Sequence, residues 1–137
     1  MKLLLDTHIW LWSLLEPKRL SRRVAKALSD PRNELWLSPI STWEILVLCQ
    51  KGRLELDEDA ESWIAKAMAL APLHEAPLTH EVALATQAVQ LPHRHPASRL
   101  LAATAKVYGL TLVTADGNFA RSKDVSVLMN HQRHSDN

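Results

Sequence analysis

The sequence predicts an α/β fold built on a central parallel sheet of about five strands. The first observation is that short apolar runs alternate along the chain with stretches of helical periodicity, as in a series of βα units. The second is size: 137 residues, of which 47% are hydrophobic, suffice for one ordinary core but not for two. We therefore expect one domain over residues 1–129, followed by a flexible polar tail over residues 130–137.

Each predicted element has a local signal. Ser21 is a typical cap for the second helix, Gly52 ends the third, and the last helix has Pro96 at its first position and Gly109 after its end. The predicted strands cover residues 2–6, 34–38, 73–78, 110–116 and 125–129, and the predicted helices cover residues 7–16, 21–30, 40–52, 59–70, 79–90 and 96–109.

Composition excludes several functions. With three glycines, the chain has no GxGxxG, GxxxxGK[ST] or GxSxG motif, so dinucleotide binding, P-loop chemistry and an α/β-hydrolase elbow are excluded. The net charge of +1 neither requires nor excludes a nucleic-acid partner.

Asp6 and His8 interrupt the apolar start, which argues against a signal peptide or a membrane span and predicts a cytoplasmic protein. Cys49, the lone cysteine, lies in an apolar run and is expected to be a buried, inert thiol.

Two aspartates follow predicted strands. Asp6 directly ends the first strand and Asp116 ends the "LVTAD" strand; Thr7 and Thr114 lie nearby as hydrogen-bond donors. Ligands of open parallel sheets gather at the carboxyl ends of the strands. The alternative for either aspartate is an ordinary helix cap.

Glu44 is predicted on a helix stripe that is otherwise apolar, with Ile40, Val47 and Leu48 as its helical neighbours. An unpaired buried carboxylate is costly, so it must be protonated, paired or bound to a cation. A basic partner such as Arg99 is the alternative to a metal. Three carboxylates on separate segments suit Mg²⁺ or Mn²⁺, and such sites hydrolyse phosphodiesters.

Four segments, in order, carry a family resemblance: "LLLDTHIWLW", "SPISTWEILVLCQKGRL", "LPHRHPASRLLAATA" and "GLTLVTADGNF". Together they resemble a PIN-domain ribonuclease of the VapC-like toxin group of type II toxin–antitoxin systems. The similarity runs from Met1 to about Leu128. It implies a PIN-like α/β/α sandwich that cleaves RNA with Mg²⁺ or Mn²⁺ and is inhibited by a cognate antitoxin protein. Exposed apolar faces of the helices predict a homodimer.

The resemblance also assigns roles to individual residues. The positions that match are Asp6, Glu44 and Asp116 for the metal-binding acids, and Thr7, Thr114 and Asn118 for the supporting polar groups. The departure lies at residues 93–99, where the family commonly reads H-x-D-P-x-D-R with the second aspartate as a metal ligand. Here His95 and Ser98 occupy the two aspartate positions, so both aspartates are replaced and the second, the metal-ligand acid, is a serine.

The missing acid leaves two functional hypotheses open. In the first, an active endoribonuclease holds one cation through Asp6, Glu44 and Asp116, partly through waters, and a second cation is weak or arrives with the RNA phosphate. In the second, a weakened PIN domain binds RNA or antitoxin without efficient cleavage. A Ser–His–Asp hydrolase using Ser98 and His93 lacks a nucleophile elbow.

The basic residues around Ser98 raise a further question. His95 either replaces the lost ligand or shapes the helix entrance. His93, His95 and Arg99 are expected to attract the RNA backbone at the mouth of the site.

The tryptophans of the helical runs are expected in the core or at a dimer contact rather than as base-stacking platforms; they are Trp10, Trp12, Trp43 and Trp63.

Overall fold

A computed structural model describes residues 1–91 and 95–131, apart from the side chain of Arg121. His93 and Arg94 of the predicted basic triplet, and the tail beyond residue 131, lie outside the described residues. Within the described part of the chain, five short strands form a single sheet. They are β1 (Lys2–Leu5), β2 (Glu34–Leu37), β3 (His74–Glu75), β4 (Thr111–Thr114) and β5 (Val127–Met129).

The sheet is wholly parallel, with strand order β3-β2-β1-β4-β5. The chain moves outward from β1 through β2 to β3 and then returns to place β4 on the other side of β1. The strand order therefore reverses between β1 and β4, and a crevice opens beyond their carboxyl ends. Asp6 and Asp116 follow these two strands, as the sequence predicts.

The predicted helices are present, and their starts follow from capping chemistry. The Ser21 hydroxyl accepts from Val24 N, and the Ser38 hydroxyl accepts from Ile40 N with Pro39 at the first helical position. Gly109 ends the last helix at φ 65°, a conformation that favours glycine. The helices are α1 (Thr7–Leu15), α2 (Arg22–Ser29), α3 (Pro39–Gln50), α4 (Ala60–Leu70), α5 (His80–Ala85) and α6 (Pro96–Tyr108).

Two apolar cores lie on opposite faces of the sheet and define the α/β/α layers. Because side chains alternate along a strand, Leu3 and Leu5 of β1 enter one core and Leu4 enters the other. The first core packs α1 to α4 against the sheet through residues such as Ile45, and the second packs α5 and α6 through residues such as Leu101. These layers confirm the predicted fold class.

Three details differ from the predicted elements. β3 has only two residues because Pro72 and Pro77 flank it and cannot donate to a ladder. The helix predicted over residues 79–90 ends at Ala85, where the Thr86 hydroxyl donates to the Ala83 carbonyl and the chain tightens into a 3-10 turn. Further 3-10 turns at Pro17–Arg19 and Gly117–Arg121 were not predicted.

Asn130 corrects the expected start of the flexible tail. Its side chain is 3% exposed; Oδ1 accepts from Ser21 N at 2.6 Å and Nδ2 donates to Arg19 O at 3.1 Å. Its main-chain N–H donates to Thr114 O at 2.7 Å. A buried polar group is stable only with such partners, so Asn130 belongs to the ordered fold. Among the described residues, no helix is long and apolar enough to cross a membrane.

Candidate active site

The crevice beyond β1 and β4 is an open cleft of about 850 Å³. It collects side chains from four separated parts of the chain, which confirms that distant acids meet at this edge of the sheet. Its described lining residues are Asp6, His8, Trp12, Arg19, Glu44, His95, Ser98, Ala115, Asp116 and Asn118.

Asp6 is held by hydrogen bonds on both carboxylate oxygens. Oδ1 accepts from Thr7 N at 2.8 Å, which caps α1, and Oδ2 accepts from the buried Thr114 hydroxyl at 2.6 Å. Asp6 therefore caps α1 and lines the cleft at the same time, so its two predicted roles do not exclude each other. Burial raises the pKa of Asp6 above its usual 3.8, although the hydrogen bonds from Thr114 and Thr7 oppose the shift.

Glu44 reaches the same cleft from α3. Its Oε1 accepts from the Thr7 hydroxyl at 2.6 Å, and that hydroxyl also lies 2.9 Å from the hydroxyl of buried Ser41. Since a hydroxyl has one hydrogen, the Ser41 hydroxyl is left to donate to Thr7. Glu44 is only half-buried, so the full burial implied by its apolar stripe is wrong.

Arg99 does not pair with Glu44, which was the alternative to a metal. Its Nη1 donates to Val89 O at 2.8 Å, and Arg99 is not among the described residues that line the cleft. The expectation that Arg99 adds positive charge at the mouth is therefore corrected. The guanidinium is turned toward the segment that precedes the helix.

Asp116 lies two residues beyond β4 and starts a 3-10 turn. Asp116 Oδ1 accepts from Asn118 N at 2.9 Å and from Asn118 Nδ2 at 3.0 Å. Its own N–H donates to the Thr114 hydroxyl at 3.0 Å. Because the Thr114 hydroxyl also donates to Asp6, it joins the carboxyl ends of β1 and β4.

Ser98 and His95 lie at the start of α6 and face the cleft. The Ser98 hydroxyl lies 3.4 Å from His95 Nδ1. Ser98 therefore contributes a neutral hydroxyl, not a carboxylate, to the lining of the cleft. The His95 side chain makes no cap hydrogen bond to the helix.

The charges of the cleft are predominantly negative. In the described part of the chain, no lysine or arginine forms an ion pair with Asp6 or Glu44. Carboxylate oxygens are the donors that Mg²⁺ and Mn²⁺ prefer, so the residues present fit a hard divalent cation. Residues 1–91 and 95–131 nevertheless contain no group of three acidic, histidine or cysteine side chains already placed to hold a metal.

Four further cleft residues were not among the predicted site residues: His8, Trp12, Arg19 and the apolar Ala115. The first two are four residues apart on α1, whose cap is Asp6, so they lie on one helix face beside the acids. Their spacing from the "LLLD" segment was the sequence signal that could have identified them as cleft residues. Arg19 lies in the basic run at residues 18–23, but its place in the cleft depends on a 3-10 turn that the pattern did not predict.

The other tryptophans follow the prediction only in part. Trp10 is 3% exposed, and Trp63 packs edge-on against it with ring centroids 6.1 Å apart. Trp43 is 56% exposed and lines a separate apolar groove of about 520 Å³ with Leu46 and Met68. Trp10 and Trp63 therefore pack in the monomer core, whereas Trp43 does not, and for Trp43 the predicted dimer contact remains.

The similarity to known proteins agrees with this geometry. Residues 3–125 match the family model of the PIN domain. The chain is 34% identical over 116 residues to Ribonuclease VapC22 of Mycobacterium tuberculosis (strain ATCC 25618 / H37Rv), a match that covers 82% of this chain and 85% of that protein.

Solved structures share the fold at lower identity. A chain of the VapBC2 complex from Rickettsia felis, bound to a DNA fragment from its promoter, aligns with a TM-score of 0.71 and 15% identity over 96% of this chain and 100% of that one. A chain of the DNA-bound VapBC complex from Salmonella typhimurium aligns with a TM-score of 0.68 and 14% identity over 94% and 98%.

A parallel α/β/α sandwich with acids at its switch point, together with the match over residues 3–125, defines a PIN-domain nuclease. With the identity to a VapC ribonuclease, the chain belongs to the VapC-like ribonucleases of the PIN-domain family. The predicted family is thereby confirmed, and the weakened, non-cleaving domain is not the favoured reading.

Proposed function

We propose that the protein is a toxin of a type II toxin–antitoxin module that hydrolyses RNA phosphodiester bonds with Mg²⁺ or Mn²⁺ held by Asp6, Glu44 and Asp116. The observation that carries the proposal is that these three acids, from three separate segments, line one cleft. A divalent cation bound there would lower the pKa of the attacking water and offset the charge that develops on the phosphate.

The chain's own residues prepare the acids for this task. Thr114 and Thr7 restrict Asp6 through one hydrogen bond to each oxygen, and the Thr7 hydroxyl also restricts Glu44. These bonds leave other lone pairs of the carboxylates available, because each oxygen can accept more than one contact. The buried position of Asp6 disfavours its charged form, so a cation in the cleft would recover the stability that ionisation costs.

Ser98 determines how strongly the site binds metal. A serine hydroxyl is neutral, so the cleft has one negative charge fewer than the family pattern provides. We propose that one cation is held chiefly by the three acids, with waters and substrate oxygens completing its shell. A second cation would be weak or would arrive with the RNA phosphate.

The test is cleavage of mixed single-stranded RNA by the purified chain in Mn²⁺, with three variants. Asp6→Asn is expected to abolish cleavage, whereas Glu55→Gln, which changes an exposed carboxylate outside the cleft, is expected to retain it. Ser98→Asp is expected to cleave faster than the parent. A parent that is inactive beside an active Ser98→Asp variant would identify a weakened domain, and activity in Asp6→Asn would refute the proposed site.

We also propose two protein partners, a cognate antitoxin over the acidic cleft and a second copy of the chain. The antitoxin is supported by the fold shared with VapBC complexes from Rickettsia felis and Salmonella typhimurium. The homodimer is supported by the exposed apolar groove around Trp43, since such surfaces commonly mark protein contacts. Trp43→Glu is expected to give a monomer by light scattering; an unchanged mass would place the dimer contact elsewhere.

A further inference from the structure

A cationic aromatic surface lies beside the acids in the same cleft. The Arg19 guanidinium carbon is 4.2 Å from the centroid of the Trp12 ring, and the His8 ring is 5.9 Å from Trp12 at a tilt of 52°. All three side chains line the cleft that contains Asp6, Glu44 and Asp116. We name Trp12 and Arg19 the stacking pair.

The negative charge of the cleft makes a cationic surface favourable for RNA binding. Three carboxylates repel a phosphate backbone, and Arg19 is the only lysine or arginine among the lining residues that the structure describes. A guanidinium differs from an ammonium because its flat face stacks on aromatic rings and on nucleobases. The Arg19 guanidinium is hydrogen-bonded to Glu16 at 3.2 Å but the side chain remains 53% exposed, so the guanidinium that covers Trp12 is itself open to a ligand.

The backbone that carries Arg19 is fixed to the acid site. Asn130 donates from Nδ2 to Arg19 O and accepts from Ser21 N, while its main-chain N–H donates to Thr114 O. The Thr114 hydroxyl in turn donates to Asp6. A chain of hydrogen bonds therefore sets the position of the Arg19 backbone relative to Asp6.

The distance between Asp6 and Trp12 along α1 also suits a ligand that contacts both residues. Trp12 lies six residues after Asp6, the cap of the helix, which corresponds to about 9 Å along the helix axis. A phosphate at the acids and the base of a neighbouring nucleotide can span such a separation. Given the ribonuclease function proposed above, we propose that Trp12 and Arg19 stack on the nucleobase next to the scissile phosphate.

The pair therefore recognises a base face rather than hydrogen-bonding edges. Stacking of this kind tolerates every base, because each has a flat π-face. Trp12 and Arg19 would then favour unpaired RNA over duplex RNA, whose bases are already stacked. This proposal differs from the prediction that Trp12 lies in the core or at a dimer contact.

The test compares two fluorescein-labelled probes of equal charge: a mixed-sequence single-stranded RNA octamer and a ribose-phosphate octamer without bases. Binding is measured by fluorescence anisotropy in EDTA and low salt, where hydrolysis does not consume the probe. The parent is expected to bind the RNA octamer about 10-fold more tightly than the abasic octamer. Trp12→Leu is expected to lose most of this preference and Trp12→Phe to retain it.

Arg19→Lys separates stacking from charge, because lysine keeps the charge without the flat guanidinium. Arg19→Lys is expected to lower RNA affinity about 3- to 5-fold while leaving binding of the abasic octamer unchanged. The control Lys26→Gln removes an exposed charge outside the cleft and is expected to preserve the preference for the octamer with bases. Unfolding midpoints matched to the parent establish that the variants are folded.

The proposal is overturned if the parent binds both octamers equally, if Trp12→Leu keeps the full preference, or if Arg19→Lys behaves as the parent does. Because this readout is binding without metal, it is independent of whether the parent cleaves RNA in Mn²⁺.

Discussion

Thr114→Val tests the hydrogen-bond junction at the centre of the site. The substitution keeps the shape of a fully buried side chain but removes the hydroxyl that donates to Asp6 at 2.6 Å and accepts from Asp116 N at 3.0 Å. A hydrogen bond to a charged group contributes about 1.5–3 kcal/mol and a neutral one about 1 kcal/mol. We therefore expect the free energy of unfolding to fall by about 2–4 kcal/mol.

Thr104→Val is the matched control. Thr104 is also fully buried, but its hydroxyl donates to Leu100 O within α6 and touches no acid. Such a bond back to the helix adds little stability, so its loss is expected to cost about 1 kcal/mol or less. Urea unfolding in EDTA at neutral pH, followed by tryptophan fluorescence, gives both values.

The same variant has a predicted effect on activity. The hydrogen bond from Thr114 lowers the pKa of Asp6, so its loss raises that pKa further. The acidic limb of the cleavage-rate profile is therefore expected to move to higher pH in Thr114→Val and to stay in place in Thr104→Val. Equal free energies of unfolding and identical pH profiles for Thr114→Val and Thr104→Val would refute the hydrogen-bond junction at Thr114.

Three other changes have defined outcomes. The stability of the metal-free parent relative to Asp6→Asn is expected to rise as the pH falls from neutral toward 3.8, because the native pKa of Asp6 lies above 3.8 and protonation removes a penalised charge; a stability difference in thermal unfolding that does not change with pH contradicts it. Asn130→Ala is expected to lower stability by about 2–3 kcal/mol in urea, since Ser21 N and Arg19 O lose their partner; a cost below about 0.5 kcal/mol contradicts the anchor. Ser98→Asp is expected to raise Mn²⁺ affinity at least several-fold by calorimetry, and an unchanged affinity would show that this position does not face the cation.

The fold was predictable because its signals are local. Alternating apolar runs, the cap at Ser21 and the stop at Gly109 each depend on a few neighbouring residues, and the structure has elements where these signals lie. β3 was overestimated because the apolar pattern of its segment outweighed the two prolines that flank it. Asn130 was assigned to the tail because its partners lie more than a hundred residues away.

The site was only partly predictable for a similar reason. Asp6 and Asp116 could be assigned to the cleft because strand ends of a parallel sheet share an edge. Arg99 was misplaced because spacing on a helix does not determine where a long side chain finds an acceptor. Arg19 was missed as a cleft residue because its position depends on a turn and on Asn130, neither of which leaves a periodic pattern.

Calorimetric titration with Mn²⁺ of the parent and of Asp6→Asn, Glu44→Gln and Asp116→Asn tests the joint metal site most directly. Glu55→Gln is the control for an exposed carboxylate outside the cleft. We expect one site in the parent and the control, and an affinity lowered at least 10-fold in each of the three cleft variants. Parent-like Mn²⁺ binding in any of those three variants would contradict a cation shared by the three acids.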